Sequence, residues 1–122
     1  MIQREGPGWR LAFDHSRQRF PYLIGGTSWA VELTELEAKG LYDLLGELDK
    51  QYLLIRDQLL DEESITLELD QQPWWGCLDG TSDHWGLQVV LQGNGLEGRG
   101  LEGAWPAPAA EAFWAALRTV WD

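Results

Sequence analysis

Positive charge is scarce in this chain, and cysteine is nearly absent. Nine Lys and Arg stand against twenty Asp and Glu, a formal net charge of −11. Such a body repels a polyanion rather than recruiting it, which excludes long-range steering of nucleic acid. The single cysteine, Cys77, rules out an intramolecular disulfide and points to a reducing compartment. No apolar run approaches the length of a bilayer span, and residues 1–8 hold no apolar segment of the signal-peptide kind. A cytoplasmic protein that engages no membrane is expected. Glycine is plentiful over 93–100, yet those residues fall among strand patterns and lack the lysine and hydroxyl of a phosphate-binding loop, so turns account for them.

What the chain does have is tryptophan, eight copies in 122 residues. Each ring buries a large area and carries one N–H that wants an acceptor. Eight of them imply a core of large aromatics, an exposed aromatic binding surface, or both. The length fits a single domain over 1–122, large enough to bury a core without staples. The charge is uneven. Residues 1–19 contain Arg4, Arg10, Arg17 and Arg19 against Glu5 and Asp14, so an acidic body carries one basic corner.

Period-two alternation marks Trp9, Leu11 and Phe13 as one face of a strand. Tyr22-Leu23-Ile24, stopped by Gly25-Gly26, predicts a second strand, and Trp29, Val31 and Leu33 a third. Thr34 opens Thr-Glu-Leu-Glu, a capping box in which Glu37 bonds back. Leu36, Leu41, Leu44, Leu45, Leu48, Tyr52, Ile55 and Leu59 then recur at helical steps. They predict an amphipathic helix over 35–60, which Gly40 and Gly46 weaken by about 1 kcal/mol each. Such a helix spans about 39 Å, against a diameter of roughly 35 Å for a compact domain of this size. It must bend near a glycine or pack its end on a partner, which makes a homodimer through this helix the expected assembly.

Alternation returns in Ile65, Leu67 and Leu69, and again in Trp85, Leu87, Val89 and Leu91. Between them, 74–78 predicts a strand closed by the turn dipeptide Asp79-Gly80. A glycine-rich edge strand is expected over 96–105, with a bulge near Gly98 or Gly100 where the pattern changes phase. Pro106 and Pro108 open a final helix whose stripe is Phe113, Trp114, Leu117, Val120 and Trp121. The order strands, helix, strands, helix predicts an α+β fold. It consists of two antiparallel β-meander sheets, each followed by a helix, with 1–60 and 61–122 as two copies of one unit.

Candidate chemistry is thin. Cys77, Asp79, Asp83 and His84 are close in sequence. However, Asp79 and Asp83 belong to a polar hairpin and Cys77 is expected to point inward, so neither a metal nor a cofactor is expected. Apolar and acidic neighbours raise the Cys77 thiol rather than activate it. Ser28, Ser64 and Ser82 lack a nucleophile-elbow setting, and the carboxylates over 61–70 read as solvated ends and faces. A non-catalytic protein is expected. Aromatic rings beside cations signal single-stranded nucleic-acid binding, and Trp9 and Arg10, with Arg17 and Arg19 across a turn, form the group of that kind. Trp74 and Trp75 are adjacent on a strand, so one ring must leave the core. The candidate ligand-binding residues are therefore Trp9, Arg10, Arg17, Arg19, Trp74 and Trp75.

Four stretches resemble a family of small cyanobacterial proteins, domain of unknown function 1818, over essentially the whole chain. They are Arg4-Glu5-Gly6-Pro7-Gly8-Trp9-Arg10-Leu11, Pro21-Tyr22-Leu23-Ile24-Gly25-Gly26, Trp29-Ala30-Val31-Glu32-Leu33-Thr34-Glu35 and Gly103-Ala104-Trp105-Pro106-Ala107. That family brings no assigned activity. Its fold is similar to the Whirly plant transcription regulators and to positive transcription cofactor four, single-stranded DNA binders built on a repeated unit of four strands and a helix. The resemblance implies a binding module of that architecture. The lysine-rich Lys-Gly-Lys-Ala strand of Whirly proteins has no counterpart here, since the only lysines are Lys39 and Lys50 on the predicted long helix. DNA-contact residues therefore do not carry over. The alternative is an acidic module for a protein partner, a basic one by charge, or for a second copy of the chain.

Overall fold

The structure, a computed structural model, describes residues 1–93 and 98–121. The alternation in the first third of the chain becomes a meander of strands β1 (Ile2–Gly6), β2 (Trp9–Phe13), β3 (Tyr22–Gly25) and β4 (Ala30–Leu33), paired in that order. Helix α1 (Glu35–Ile55) follows. A second meander contains β5 (Ile65–Gln71), β6 (Trp74–Gly80), β7 (Trp85–Leu91) and β8 (Leu101–Trp105), again in chain order, and helix α2 (Ala109–Trp121) ends it. The fold is the expected α+β arrangement of two antiparallel four-strand sheets, each followed by a helix.

Four details differ from the sequence expectations. Strand β1 carries too little alternation to be read alone; it forms because its ladder to β2, from Ile2↔Phe13 to Gly6↔Trp9, supplies partners for its backbone. Gly8 makes that turn at φ 81, a left-handed conformation that favours glycine. Helix α1 stops at Ile55 and tightens into a 3-10 turn, Arg56–Gln58, rather than running to residue 60. Leu53, Leu54 and Leu60 are exposed there, so no packing rewards another helical turn. Strand β6 runs through Asp79 and Gly80, and the turn closes one step later, where Thr81 N–H donates to the His84 carbonyl at 2.8 Å. Strand β8 begins at Leu101. The start of the predicted edge strand, with Leu96, lies outside the described residues, and Gly98 takes a left-handed φ of 65 in the loop.

The capping box forms as expected. Glu37 N–H donates to Thr34 Oγ1 at 3.1 Å, and Thr34 N–H donates to Glu37 Oε1 at 2.9 Å. The helices then change places. α1, which follows the first sheet, lies against β5 and β6 of the second; α2, which follows the second sheet, lies against β1 and β2 of the first as well as β7. Each sheet thus buries its inner face under the other unit's helix. Leu41, Leu44, Leu45, Leu48 and Tyr52 of α1 and Phe113, Trp114 and Leu117 of α2 enter one continuous core.

Two tryptophans lock the halves together. Trp74 is fully buried and its Nε1–H donates to the Glu37 carbonyl at 2.9 Å; Trp105 Nε1–H donates to the Gly25 carbonyl at 2.9 Å. Trp105 also stacks on Phe113 at 4.2 Å between ring centroids. Gly40 finds its reason here. A Cβ at that position would stand 3.0 Å from the Trp74 ring, so the glycine that weakens the helix also lets the indole lie against it.

Candidate functional site

With the core built this way, strand alternation turns a second set of side chains outward on each sheet. On the second sheet the register forms a grid. One row reads Asp70, Trp75, Val90, Glu102; the next reads Glu68, Cys77, Gln88, Ala104; a third reads Thr66, Asp79, Gly86. Directly opposed residues in such rows have Cβ atoms about 4.5–5.5 Å apart. Trp75 and Val90 are half-buried at the centre, and Glu68, Asp70, Asp79 and Glu102 are exposed around them. No Lys or Arg occurs anywhere between residues 57 and 98.

The carboxylates of this face are held by neutral groups. Thr66 Oγ1 donates to Asp79 Oδ1 at 2.6 Å, and Gln88 Nε2 donates to Glu102 Oε1 at 3.4 Å. The Cys77 thiol lies 3.8 Å from Asp79 Oδ2. Cys77 was expected to point inward; it faces outward with Trp75, because Trp74, Gly76 and Leu78 take the inner positions, and its neighbours bury it all the same. That burial, reinforced by Asp79 and Glu68, pushes its pKa up from the ordinary 9.0. The thiol stays protonated and is a poor nucleophile at neutral pH. His84 sits away from it, with Nδ1 3.3 Å from Glu111 Oε1, and among the described residues no three His, Cys, Asp or Glu side chains gather to hold a metal ion.

The outer face of the first sheet has a different character. Its rows are Glu5, Arg10, Gly25, Ala30 and Gln3, Ala12, Leu23, Glu32. Arg10 is exposed, and its guanidinium donates to the Trp29 carbonyl at 3.2 Å. Arg17 pairs with Glu32. Arg19 lies over the Phe20 ring at 5.2 Å, and Arg99 lies over the same ring at 4.7 Å. Arg99 also donates to Glu37 Oε1 at 2.9 Å and to the Glu32 carbonyl at 2.6 Å, tying the residues just before β8 to the first unit. The basic corner is therefore real, but its cations are engaged with acceptors of the chain itself.

The six candidate residues do not meet in one place. Arg10, Arg17 and Arg19 gather on the first sheet's outer side. Trp9 is half-buried on that sheet's inner face, with its ring against Gly6. Trp74 is core, and of the adjacent pair it is Trp75 that leaves the core, on the other sheet. Two open clefts flank these surfaces. One of about 460 Å³ lies where Thr27, Ser28 and Trp29 approach Gln88, Glu102 and Gly103, continuing the acidic face. The other, about 510 Å³, lies among Phe20, Leu23, Ala30, Glu32 and Arg99.

A model of a domain of unknown function, DUF1818, matches residues 4–120. The chain belongs to the DUF1818 family. It is similar to a Prochlorococcus sp. NATL2A protein of unknown function from the DUF155 family, solved by crystallography at 1.80 Å resolution. That protein is 45% identical, each chain covers 100% of the other, and the TM-score is 0.94. No curated protein matches the chain. Among the described residues no helix is long and apolar enough to cross a membrane.

Sequence reasoning missed two contributors. Val90 falls between the inward Val89 and Leu91 of β7, and only the register sets it beside Trp75. Arg99 carried one available signal: it is the sole Lys or Arg between residues 57 and 117.

Proposed function

We propose that this DUF1818 protein is a non-catalytic binding module, and that it uses the outer face of β5–β8 to hold a basic segment of another protein. One observation carries this reading. The row Asp70, Trp75, Val90, Glu102 places an aromatic and a β-branched side chain between carboxylates, with Glu68 and Asp79 close by and, among the described residues, no cation in these rows. A central aromatic supplies contact area, and charge of one sign around it selects the partner and speeds encounter. The field of a −11 body acts in the same direction. Burial beside Asp79 and Glu68, which raises the Cys77 thiol and makes it a poor nucleophile, supports a role without chemistry.

A second reading, single-stranded nucleic acid, is supported by the family's resemblance to Whirly regulators and by the arginines around Phe20. It is the weaker one, because Arg17 and Arg99 are already paired with Glu32 and Glu37, and the half-buried Trp9 faces the interior. Self-association through the end of α1 draws support from Leu53, Leu54 and Leu60, which are 50%, 69% and 64% exposed.

Calorimetric titration separates these. A Lys/Arg-rich peptide should bind at low salt, and Trp75→Ala and Glu102→Lys should each weaken it. A short oligothymidine that binds instead, and is lost on reversing Arg10 and Arg19 to Glu, would replace the protein-partner reading with the nucleic-acid one. Sedimentation across a range of concentrations reports the dimer.

A further inference from the structure

The two sheets present four edge strands, and three are occupied or ill-suited to pairing. On β4, the Glu32 carbonyl accepts from Arg99. On β8, Gly103 lies directly beneath the Trp29 indole, where a Cβ would come within 2.4 Å of the ring. β1 has five residues with Arg4 and Glu5 side by side, so it offers no charge of one sign. β5 differs. Its seven residues pair with β6 without interruption from Ile65↔Gly80 to Gln71↔Trp74. Among the described residues, no backbone hydrogen bond other than that ladder involves it.

An edge of this kind is a template for another strand, and proteins ordinarily blunt it with charged side chains, lysine above all, or with proline, a bulge or a short length. β5 has no lysine, proline or bulge and is seven residues long; its charges, Glu68 and Asp70, are of one sign. It carries Thr66, Glu68 and Asp70 outward, with Leu67 and Leu69 half-buried on the other side. Two copies of β5 set edge to edge would oppose carboxylate to carboxylate, which disfavours self-pairing. A strand bearing cations at alternate positions meets the opposite situation, because its outward residues fall beside Glu68 and Asp70 at the same spacing of about 7 Å.

We infer that β5 is a docking edge onto which an extended segment of another protein, alternating Lys or Arg with apolar residues, adds as a fifth strand of the second sheet. This rests on the basic-partner reading above and gives it a binding mode. Backbone hydrogen bonds along β5 provide the attachment, Glu68 and Asp70 choose cations outside, and Leu67 and Leu69 accept apolar side chains inside. Asp61, Glu62 and Glu63, just before the strand, extend the attraction along its approach.

The test uses the intact protein and synthetic peptides of alternating Lys and Val, followed by calorimetry at low salt. One peptide is unmodified, and two are N-methylated on alternate amides, one in each frame. Strand addition predicts that methylation in one frame weakens binding about tenfold or more while the other frame is tolerated. The double variant Glu68→Lys, Asp70→Lys should lose the unmodified peptide to a similar extent and keep its melting temperature. Equal binding of all three peptides overturns the edge inference while leaving the acidic face as a binding surface. Failure of every basic peptide to bind overturns both. A sedimentation dimer that disperses in the double variant also overturns it, since the edge would then serve a second copy.

Discussion

The outer faces of the two sheets are built from the same pattern and end up opposite in character. On the first, Glu5 opposes Arg10, and Arg17 and Arg99 close on Glu32 and Glu37, so the charges cancel within the chain. On the second, Glu68, Asp70, Asp79 and Glu102 surround Trp75, and Thr66, Cys77 and Gln88 supply neutral hydroxyl, thiol and amide partners to Asp79 and Glu102. Duplicated architecture therefore does not duplicate the surface it presents. The fold fixes which positions face out; the side chains placed there decide whether the charges of a face are balanced within the chain.

The sharpest way to break this comparison is at the adjacent tryptophans. Trp74→Ala removes a fully buried ring and its bond to the Glu37 carbonyl, and should cost about 3–5 kcal/mol in urea unfolding. Trp75→Ala should cost about 1 kcal/mol or less while raising the peptide dissociation constant. Comparable losses from both would mean that Trp75 serves the core rather than a surface.

A smaller effect is expected at Arg99. Arg99→Ala takes the guanidinium from the mostly buried Glu37 carboxylate, which keeps the Thr34 N–H, and frees the Glu32 carbonyl. It should cost about 1–3 kcal/mol. Arg99→Lys, which cannot reach both acceptors with one fork, should recover only part of this. Full recovery would show that charge alone, and not the double attachment, gives Arg99 its effect.

The smallest expected effect concerns Cys77. Its pKa in the folded protein lies above the unfolded value of 9.0, because burial and the nearby carboxylates disfavour the thiolate. The unfolded chain therefore deprotonates first. Stability from the protonated thiol is complete below that value and declines as pH rises through it. Tyr22 and Tyr52, raised in the same direction from 10.0 by burial, add a decline at higher pH. Comparing wild type with Cys77→Ala isolates the cysteine: the difference should shrink between neutral pH and about pH 10. A constant difference would contradict its burial among carboxylates.

Much of this was legible in the residues. Alternation located β2, β4, β5 and β7, runs bounded by turn residues located β3 and β6, and Thr34 with Glu37 marked the start of α1 as it is found. What could not be read is what depends on contacts between distant segments. β1 exists through its pairing with β2, and the exchange of helices between the units leaves no local pattern. Cys77 was expected to point inward, whereas the inward position of Trp74, an odd three residues earlier on the same strand, turns it outward. The Trp9–Arg10 pairing looked like a binding group because the residues adjoin in sequence, and adjacency on a strand is what places them on opposite faces. Arg99 acts across more than sixty residues of sequence, on Glu37 and Glu32, so no spacing announces it.

Whether a basic strand meets the outer face of the second sheet is read from backbone amide chemical shifts, recorded as a Lys/Val-alternating peptide is added to the labelled protein. The largest changes should fall on Thr66, Glu68, Asp70, Trp75, Val90 and Glu102, with Arg10, Arg17 and Leu23 unmoved. Changes centred on the first sheet, around Arg10 and Leu23, would contradict docking on the second.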